Sequence, residues 1–289
     1  MFAPEIVIAA VINGLLTGAV YALVSVALTL VYGVLHIINF AHGAILTAAM
    51  FAAFFASQAG VDPLVALFGL APLFFALGYA TQRYVIGPAS HGRDSNILLV
   101  TLGLSIVIEN ALLAAFGSDT RTIDTPYGFS TIDLGFIFLP MPRVIAFGVT
   151  CLVAALLWAL LTRTDTGKAI RAVAKEKLGA ALVGIDVTHI YAVTFGIGAA
   201  CLAVAACVLL PSYYVQPRAG EAYTLVAFTV VVLGGMGSVP GAVIGGLFIG
   251  VVESLSGLYF GESLGQLGIF LIFILALLLR PTGLFGARG

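Results

Sequence analysis

Residues 162–188 read TRTDTGKAIRAVAKEKLGAALVGIDVT, and they carry five of the twelve Lys and Arg residues of a 289-residue chain that is otherwise poor in charge. Basic residues beside membrane spans mark the cytoplasmic side, so this loop orients the chain. Its centre predicts a short helix, with Asp165 or Thr166 as the N-cap and Gly184 as the stop. Helical spacing gathers six apolar residues into one stripe: Ile170, Val173, Ala174, Leu178, Ala181 and Leu182. The loop is therefore either a positive-inside anchor or a docking helix for a cytoplasmic protein.

The composition is that of an integral membrane protein. Hydrophobic residues make up 61% of the chain and charged residues 9%, with a mean hydropathy of +1.16, whereas soluble domains carry about 25% charged residues. The net charge of −1 provides no basic field of the kind that nucleic-acid binding needs. The three cysteines lie in apolar runs, and no Cys or His spacing predicts a metal site or a disulfide framework.

The apolar runs predict an all-α polytopic membrane protein whose residues 1–289 form a single transmembrane domain. Expected spans are two within 5–62, then 63–85, 97–116, 143–161, 190–210, a broken run over 224–258, and 267–279. This gives about eight transmembrane helices, and up to ten if interrupted or re-entrant segments are counted. Nine basic residues then lie on the inner side and three on the outer side, which favours an outside N-terminus and a cytoplasmic C-terminus. No fixed-period repeat is visible.

The last broken run is interrupted at residues 234–241, which read GGMGSVPG. Four glycines and a proline cannot continue a straight helix, so a turn or two half-helices are expected there. Two interpretations stay open, close helix packing through small residues and a gate on a solute path. The gate candidates are Gly234, Gly235, Gly237 and Pro240.

A few polar residues lie inside apolar runs and are the other candidates for a solute path. Glu109 falls in the middle of the 97–116 span, where an ionisable side chain is unfavourable unless it faces protein or water. It is either functional or a protonated group bonded to a neighbouring helix. Asn39 and His42 are three residues apart and would share a helix face, as packing residues or as part of a pathway. Glu253, near a span end, is expected to be solvated.

Several motifs together resemble the permease subunit of ABC importers of the branched-chain amino acid type. They are NGL at 13–15, YAL at 21–23, INFAHG at 38–43, GKAIRA at 167–172, AALVGI at 180–185, PGA at 240–242 and RPTGLFG at 280–286. The resemblance covers nearly the whole chain. It implies that residues 162–188 are the loop through which ATP hydrolysis is coupled to transport. The residues it assigns to that coupling are Gly167, Ile170, Arg171, Ala174, Leu182 and Gly184.

The resemblance also implies a set of partners in a bacterial inner membrane. These are two cytoplasmic ATP-binding subunits, a second permease of related fold and a periplasmic solute-binding protein, besides membrane lipid. The chain has no phosphate-cradling loop of its own, because residues 235–240 lack the third glycine of GxGxxG and Ala169 follows Gly167-Lys168 where Ser or Thr is needed. ATP would therefore be bound only by the partners, and the permease itself needs no cofactor. The solute stays open among branched-chain or other hydrophobic amino acids, urea, short amides and aromatic acids.

The alternative function is a proton-coupled secondary transporter, in which Glu109 would bind the coupling proton. A second intramembrane acid would favour that alternative, whereas the basic loop with its apolar stripe favours the ATP-driven importer. An intramembrane enzyme is the least favoured interpretation, because His42 has no acid, cysteine or second histidine at a usable spacing. No catalytic residue is therefore assigned.

Overall fold

The computed structural model describes residues 3–90, 94–133, 135, 137–261, 264–279 and 283. Long apolar helices account for most of them. The helices are α1 (Pro4–Leu35), α2 (His42–Gln58), α3 (Pro63–Ala80), a π-helical segment (Thr81–Ile86), α4 (Gly87–Ser90), α5 (Asp94–Phe116), α6 (Met141–Arg163), α7 (Asp165–Lys175), α8 (Lys177–Leu182), α9 (Val187–Leu209), α10 (Ala219–Gly234), α11 (Val239–Phe260) and α12 (Gly265–Leu279). Two short strands, β1 (Thr131–Asp133) and β2 (Phe138–Pro140), pair antiparallel.

The all-α polytopic class is confirmed. In the described residues, six helices are long and apolar enough to cross a membrane, and α2, α10 and α12 are shorter apolar helices. The expected breaks after residue 35 and around residue 236 are both present. The small hairpin β1/β2 was not expected, and it lies in the loop between α5 and α6, outside the apolar helices.

The core is built around α1 and α9, whose side chains are buried over most of their length. Each packs along a second long helix, α1 on α11 and α9 on α3. Glycines permit the first contact, since a Cβ at Gly18 would lie 2.7 Å from the Gly246 carbonyl oxygen and one at Gly250 would clash with Gly18. The small-residue pair Gly246 and Gly250 is therefore a packing feature.

The two halves of the chain are arranged as an inverted repeat. The series α1, α2, α3 and α5 corresponds to α9, α10, α11 and α12, because α1 packs on α11 as α9 packs on α3, and α2 meets α10 between them. From that meeting point α2 runs to the end where Phe51 and Phe54 surround Arg121. The other short helix, α10, runs to the opposite end, where Gly237 abuts Gly33. Two copies of a long unit are detectable only as weak internal sequence symmetry, which explains why no short period was visible.

The N-termini of α2 and α10 touch through matching motifs, GAILT at 43–47 and GEAYT at 220–224. The Thr47 hydroxyl donates to the Gly43 carbonyl oxygen (3.0 Å), and the Thr224 hydroxyl donates to that of Gly220 (2.9 Å). The Gly220 amide donates across the contact to Thr47 Oγ1 (2.9 Å). We call the contact formed by Gly43, Thr47, Gly220 and Thr224 the helix crossing. The Gly43 and Gly220 backbones lie so close that no side chain fits at either position.

Two irregular segments return the chain to this crossing. After α1, residues 36–41 lead to the start of α2, and the Phe40 amide donates to Thr101 Oγ1 on α5 (3.3 Å). After α9, residues 210–218 lead to the start of α10, and Val215 pairs with Arg121 in an isolated β-bridge. Both segments are only partly buried, since Ile37, Asn39 and Val215 are buried whereas Phe40 and Tyr214 are exposed. Re-entrant segments were expected, but the simple connector predicted at 36–43 is instead one of them.

The 162–188 loop folds as two helices and not as the single predicted one. The helix breaks at Glu176 (φ −155°, ψ 103°), whose carboxylate accepts from the Leu178 amide and caps α8. The predicted caps are also wrong, because Thr164 Oγ1 accepts from the Gly167 amide (3.0 Å) and caps α7. The predicted stop is confirmed, since Gly184 follows α8 with φ +88°.

A candidate solute cavity

One end of the helix bundle contains a cavity of about 910 Å³, within the range of roughly 300–1,000 Å³ that is usual for small-molecule sites. Its walls come from the first half of α1, the start of α6, residues 213–226, the second half of α11 and the start of α12. The opposite end carries the 162–188 loop, since α6 begins at the cavity with Arg143 and ends beside Gly167. From the basic count we therefore expect the cavity on the outer side and the loop in the cytoplasm.

The cavity reaches about halfway through the molecule. It follows α1 from Ile6 to Tyr21, which is about 22 Å of a helix of 32 residues. At its inner end the rings of Tyr21 and Tyr223 lie 6.4 Å apart, beside Gly250. Tyr223 is only three residues from Gly220, so the helix crossing lies immediately beyond this floor. The cavity is thus open at the end of the bundle where α1 begins and closed at the helix crossing.

Polar groups line the cavity walls at three levels of α1. The Asn13 amide donates to the Ala9 carbonyl oxygen (3.1 Å), and the Ser254 hydroxyl donates to that of Ala10 (2.7 Å). Deeper in, the Glu253 carboxylate accepts a hydrogen bond from the Tyr21 hydroxyl and interacts electrostatically with Arg143. Glu253 is half-buried, so the expectation that it is simply solvated is wrong. The sequence signal that could have found it is an acid seven residues inside an apolar run.

Asn39 and His42 do not line the cavity among the described residues, and they stabilise the segment that precedes α2. Both are buried. The side-chain oxygen Oδ1 of Asn39 accepts a hydrogen bond from the Ala41 amide (3.0 Å), and His42 Nε2 is hydrogen-bonded to the Val24 carbonyl oxygen (3.1 Å). They do not share a helix face, because Asn39 lies before α2 begins. Their position next to Gly43 puts them at the helix crossing, on the cytoplasmic side of the cavity floor.

Glu109 lies on α5, the helix whose Thr101 accepts from the Phe40 amide. Its Oε1 accepts from the Ser105 hydroxyl (2.8 Å), one turn earlier on the same helix. The helix packs on α2 and exposes apolar side chains such as Ile106 and Val107. Within the described chain Glu109 does not line the cavity, and its place on a solute path stays a prediction.

The glycine-rich break forms the tight turn between α10 and α11. Gly235 and Gly237 have positive φ (+96° and +89°), which only glycine adopts without strain. Ser238 Oγ accepts from the Gly241 amide (3.2 Å) and caps α11, with Pro240 in its first turn. Gly234 packs directly against Gly241. The turn lies at the cytoplasmic end of α1 and adjoins Gly283, the one described residue of the 280–286 motif.

The coupling candidates divide between buried and exposed positions. Gly167 packs on the α6 backbone at Leu160, and Ile170 is 2% exposed, so α7 is bound to this chain's own helices. Ala174 is partly buried on the same side. Arg171 and Gly184 face outward, and the most exposed large side chains of the loop are Leu178 (74%), Leu182 (88%) and Val183 (77%). The first half of the predicted stripe, Ile170, Val173 and Ala174, is therefore an internal contact, whereas its second half, Leu178, Ala181 and Leu182, is exposed on α8.

Two acids at the ends of these helices are stabilised in their charged form. A hydrogen bond from Lys168 lowers the pKa of Asp165 in the first turn of α7. A hydrogen bond from the His189 amide lowers the pKa of Asp186, which caps α9. Both lie in the cytoplasmic loop, where water screens them, so they fix helix starts and contribute little to global stability.

The described helices define a polytopic α-helical membrane protein with an inverted repeat and a cavity at one end of the bundle. The family described as "Branched-chain amino acid transport system / permease component" matches residues 10–279. The chain belongs to this family of transport permeases.

Similar proteins agree with that assignment. The chain is 36% identical to the high-affinity branched-chain amino acid transport system permease protein BraD of Pseudomonas aeruginosa, covering 95% of this chain and 94% of BraD. It is 35% identical to LivH of Salmonella typhimurium, with the same coverage. D-allose transport system permease protein AlsC of Escherichia coli is 30% identical over 68% of this chain and 60% of AlsC. The solved structure of PsaBC from Streptococcus pneumoniae in complex with Fab shares the fold, with a TM-score of 0.51 and 15% identity over 94% of this chain and 92% of that one.

Proposed function

We propose that this chain is the membrane-spanning subunit through which an ATP-driven importer moves branched-chain amino acids, or closely related small solutes, across a bacterial inner membrane. The observation that carries the proposal is the outward-open cavity, which combines apolar walls with one acid, Glu253, and two bases, Arg143 and Arg218. Such a lining suits a small zwitterion with a hydrocarbon side chain. The family assignment, with permeases named for branched-chain amino acid transport, supports the same solute class.

In this proposal ATP is bound and hydrolysed by two partner subunits at the cytoplasmic face. The exposed apolar side chains of α8, together with the basic residues Arg171 and Lys175, form a surface that such a subunit can cover. The buried residues of α7 attach this surface to α1, α6 and α9. A push on α8 is therefore transmitted to the helices that line the cavity and its floor.

Two further partners complete the proposed importer. A periplasmic solute-binding protein would deliver the solute to the cavity mouth. A second permease of related fold would complete the translocation path on the side where α5, α6 and α12 expose apolar side chains. The proton-coupled alternative has little support, because Glu109 lies outside the cavity and the family consists of transport-system permease components.

Uptake by the reconstituted complex tests this function. Proteoliposomes containing the permease pair and ATPase subunits are supplied with the binding protein on the outside. They should accumulate L-leucine only when ATP is enclosed in the vesicle lumen, which corresponds to the cytoplasm. A proton ionophore should leave the initial rate unchanged. Uptake that requires a proton gradient and proceeds without ATP would support the secondary transporter. Uptake of ribose or D-allose in place of leucine would transfer the chain to a sugar importer, as the match to AlsC allows.

A further inference from the structure

We infer that Glu253, oriented by Tyr21 and facing Arg143, is a solute-recognition site in the outward cavity that binds the α-ammonium group of an amino acid. The inference rests on the proposed function and extends it from a solute class to named contacts. The starting observation is that Glu253 lies on α11 in the cavity wall. A charged carboxylate within a membrane span is unfavourable unless it faces water or a charged partner.

Glu253 has unused hydrogen-bonding capacity directed at the cavity. An ionised carboxylate offers about four acceptor sites, and the Tyr21 hydroxyl occupies one of them. Within the part of the chain that the structure describes, Glu253 forms no salt bridge; the two found there join Lys168 to Asp165 and Arg218 to Glu221. The carboxylate is thus held in place by one donor and remains available to a cation from the cavity.

Arg143 supplies the complementary charge. It lies in the first turn of α6, lines the same cavity and influences Glu253 electrostatically without a direct ion pair. An acid and a base that face one cavity without closing on each other can bind the two charged ends of a zwitterion. The α-ammonium group would donate to Glu253, and the α-carboxylate would accept from Arg143.

The surrounding wall suits the rest of a hydrophobic amino acid. Apolar side chains line the cavity near both charged groups, including Ile6, Val226 and Leu258. The Tyr21 and Tyr223 rings close the inner end, directly above the helix crossing. A solute held by Glu253 would therefore sit on the floor that must open for it to pass inward, so recognition and opening occur at adjacent residues.

The test uses the complete importer in proteoliposomes with saturating L-leucine-loaded binding protein. Glu253→Gln keeps the shape of the side chain and removes its charge. Losing one charge-assisted hydrogen bond should lower the maximal uptake rate about tenfold or more. The half-saturating concentration of the loaded binding protein should stay unchanged, because that protein docks outside the cavity. The matched control is Glu5→Gln, the same chemical change at an exposed residue of the first turn of α1 that does not line the cavity; it should stay within about twofold of wild type.

Three further measurements separate recognition from a structural role. Basal ATP hydrolysis and melting temperature should match wild type for Glu253→Gln, while Glu253→Asp should recover part of the uptake rate. Arg143→Gln should also slow uptake about tenfold, by loss of the carboxylate contact, and it decides the question if Glu253→Gln fails to assemble. Wild-type uptake in either assembled variant overturns the assignment alone. If vesicles with the wild-type importer take up no amino acid, the proposed function itself is overturned.

Discussion

Substituting Gly220 by alanine should push α2 and α10 apart at the helix crossing and so destabilise the contact between the two halves of the inverted repeat. A Cβ at this position would clash with the Gly43 carbonyl and lie 2.6 Å from Thr47 Oγ1. The obstructing atoms are mostly backbone, which cannot rotate aside, so α2 and α10 must move apart. Overpacking of this kind destabilises by about 1–3 kcal/mol.

The displacement should also break the hydrogen bond from the Gly220 amide to Thr47 (2.9 Å), and such bonds between membrane helices contribute about 0.6 kcal/mol and at most about 1.7. The sum is a loss of about 2–4 kcal/mol. Gly103→Ala on α5 is the matched control, since its Cβ would meet nothing within 4 Å.

Reversible unfolding of the purified complex subunit in mixed micelles measures the difference between the two variants. Gly103→Ala should be as stable as wild type or slightly more so, because alanine favours a helix over glycine. Gly220→Ala should unfold at a clearly lower denaturant concentration and lower temperature. Equal stability of the two variants would refute the close backbone contact at the helix crossing, and with it the account of how the repeats are joined.

Three other predictions follow from the same structure. Leu182→Glu should weaken ATPase co-purification about tenfold or more, as loss of an interface anchor does, with the permease still inserted. Ile170→Glu should abolish folding, because it places a charge in a buried contact. If Ile170→Glu instead folds normally and loses ATPase docking, Ile170 is the docking residue and Leu182 is not. In intact cells, an impermeant thiol reagent should label Phe129→Cys in the outer loop and not Lys175→Cys; labelling of Lys175→Cys alone would invert the topology. Gly237→Val should lower the maximal uptake rate with unchanged half-saturation, because a β-branched residue is strained at φ +89° beside Gly33; a wild-type rate at equal expression would exclude this turn from the transport cycle.

Local rules identified most helices, and they failed where a residue's partner lies far away in the chain. The spans, the breaks after residues 35 and 234 and the stop at Gly184 all agree with the structure. Spacing also predicted one apolar stripe in the 162–188 loop. In the structure Ile170 and Val173 of that stripe pack within the chain, whereas Leu178 and Leu182 are exposed on α8. Asn39 and Glu109 attracted attention as polar residues in apolar runs, yet each is hydrogen-bonded locally.

The sequence by itself determined the class, the approximate spans and the family resemblance, and it predicts the orientation. Those features depend on how many apolar residues follow one another and on where basic residues stand, and both are properties of short segments. Only the tertiary structure decided which helix faces meet, and so revealed the inverted repeat, the contact between Gly43 and Gly220, and the grouping of Tyr21, Arg143 and Glu253 around one cavity. The reason is that lipid is as apolar as the helices themselves, so contacts between helices are selected by steric fit and a few hydrogen bonds, between residues that the chain places more than a hundred positions apart.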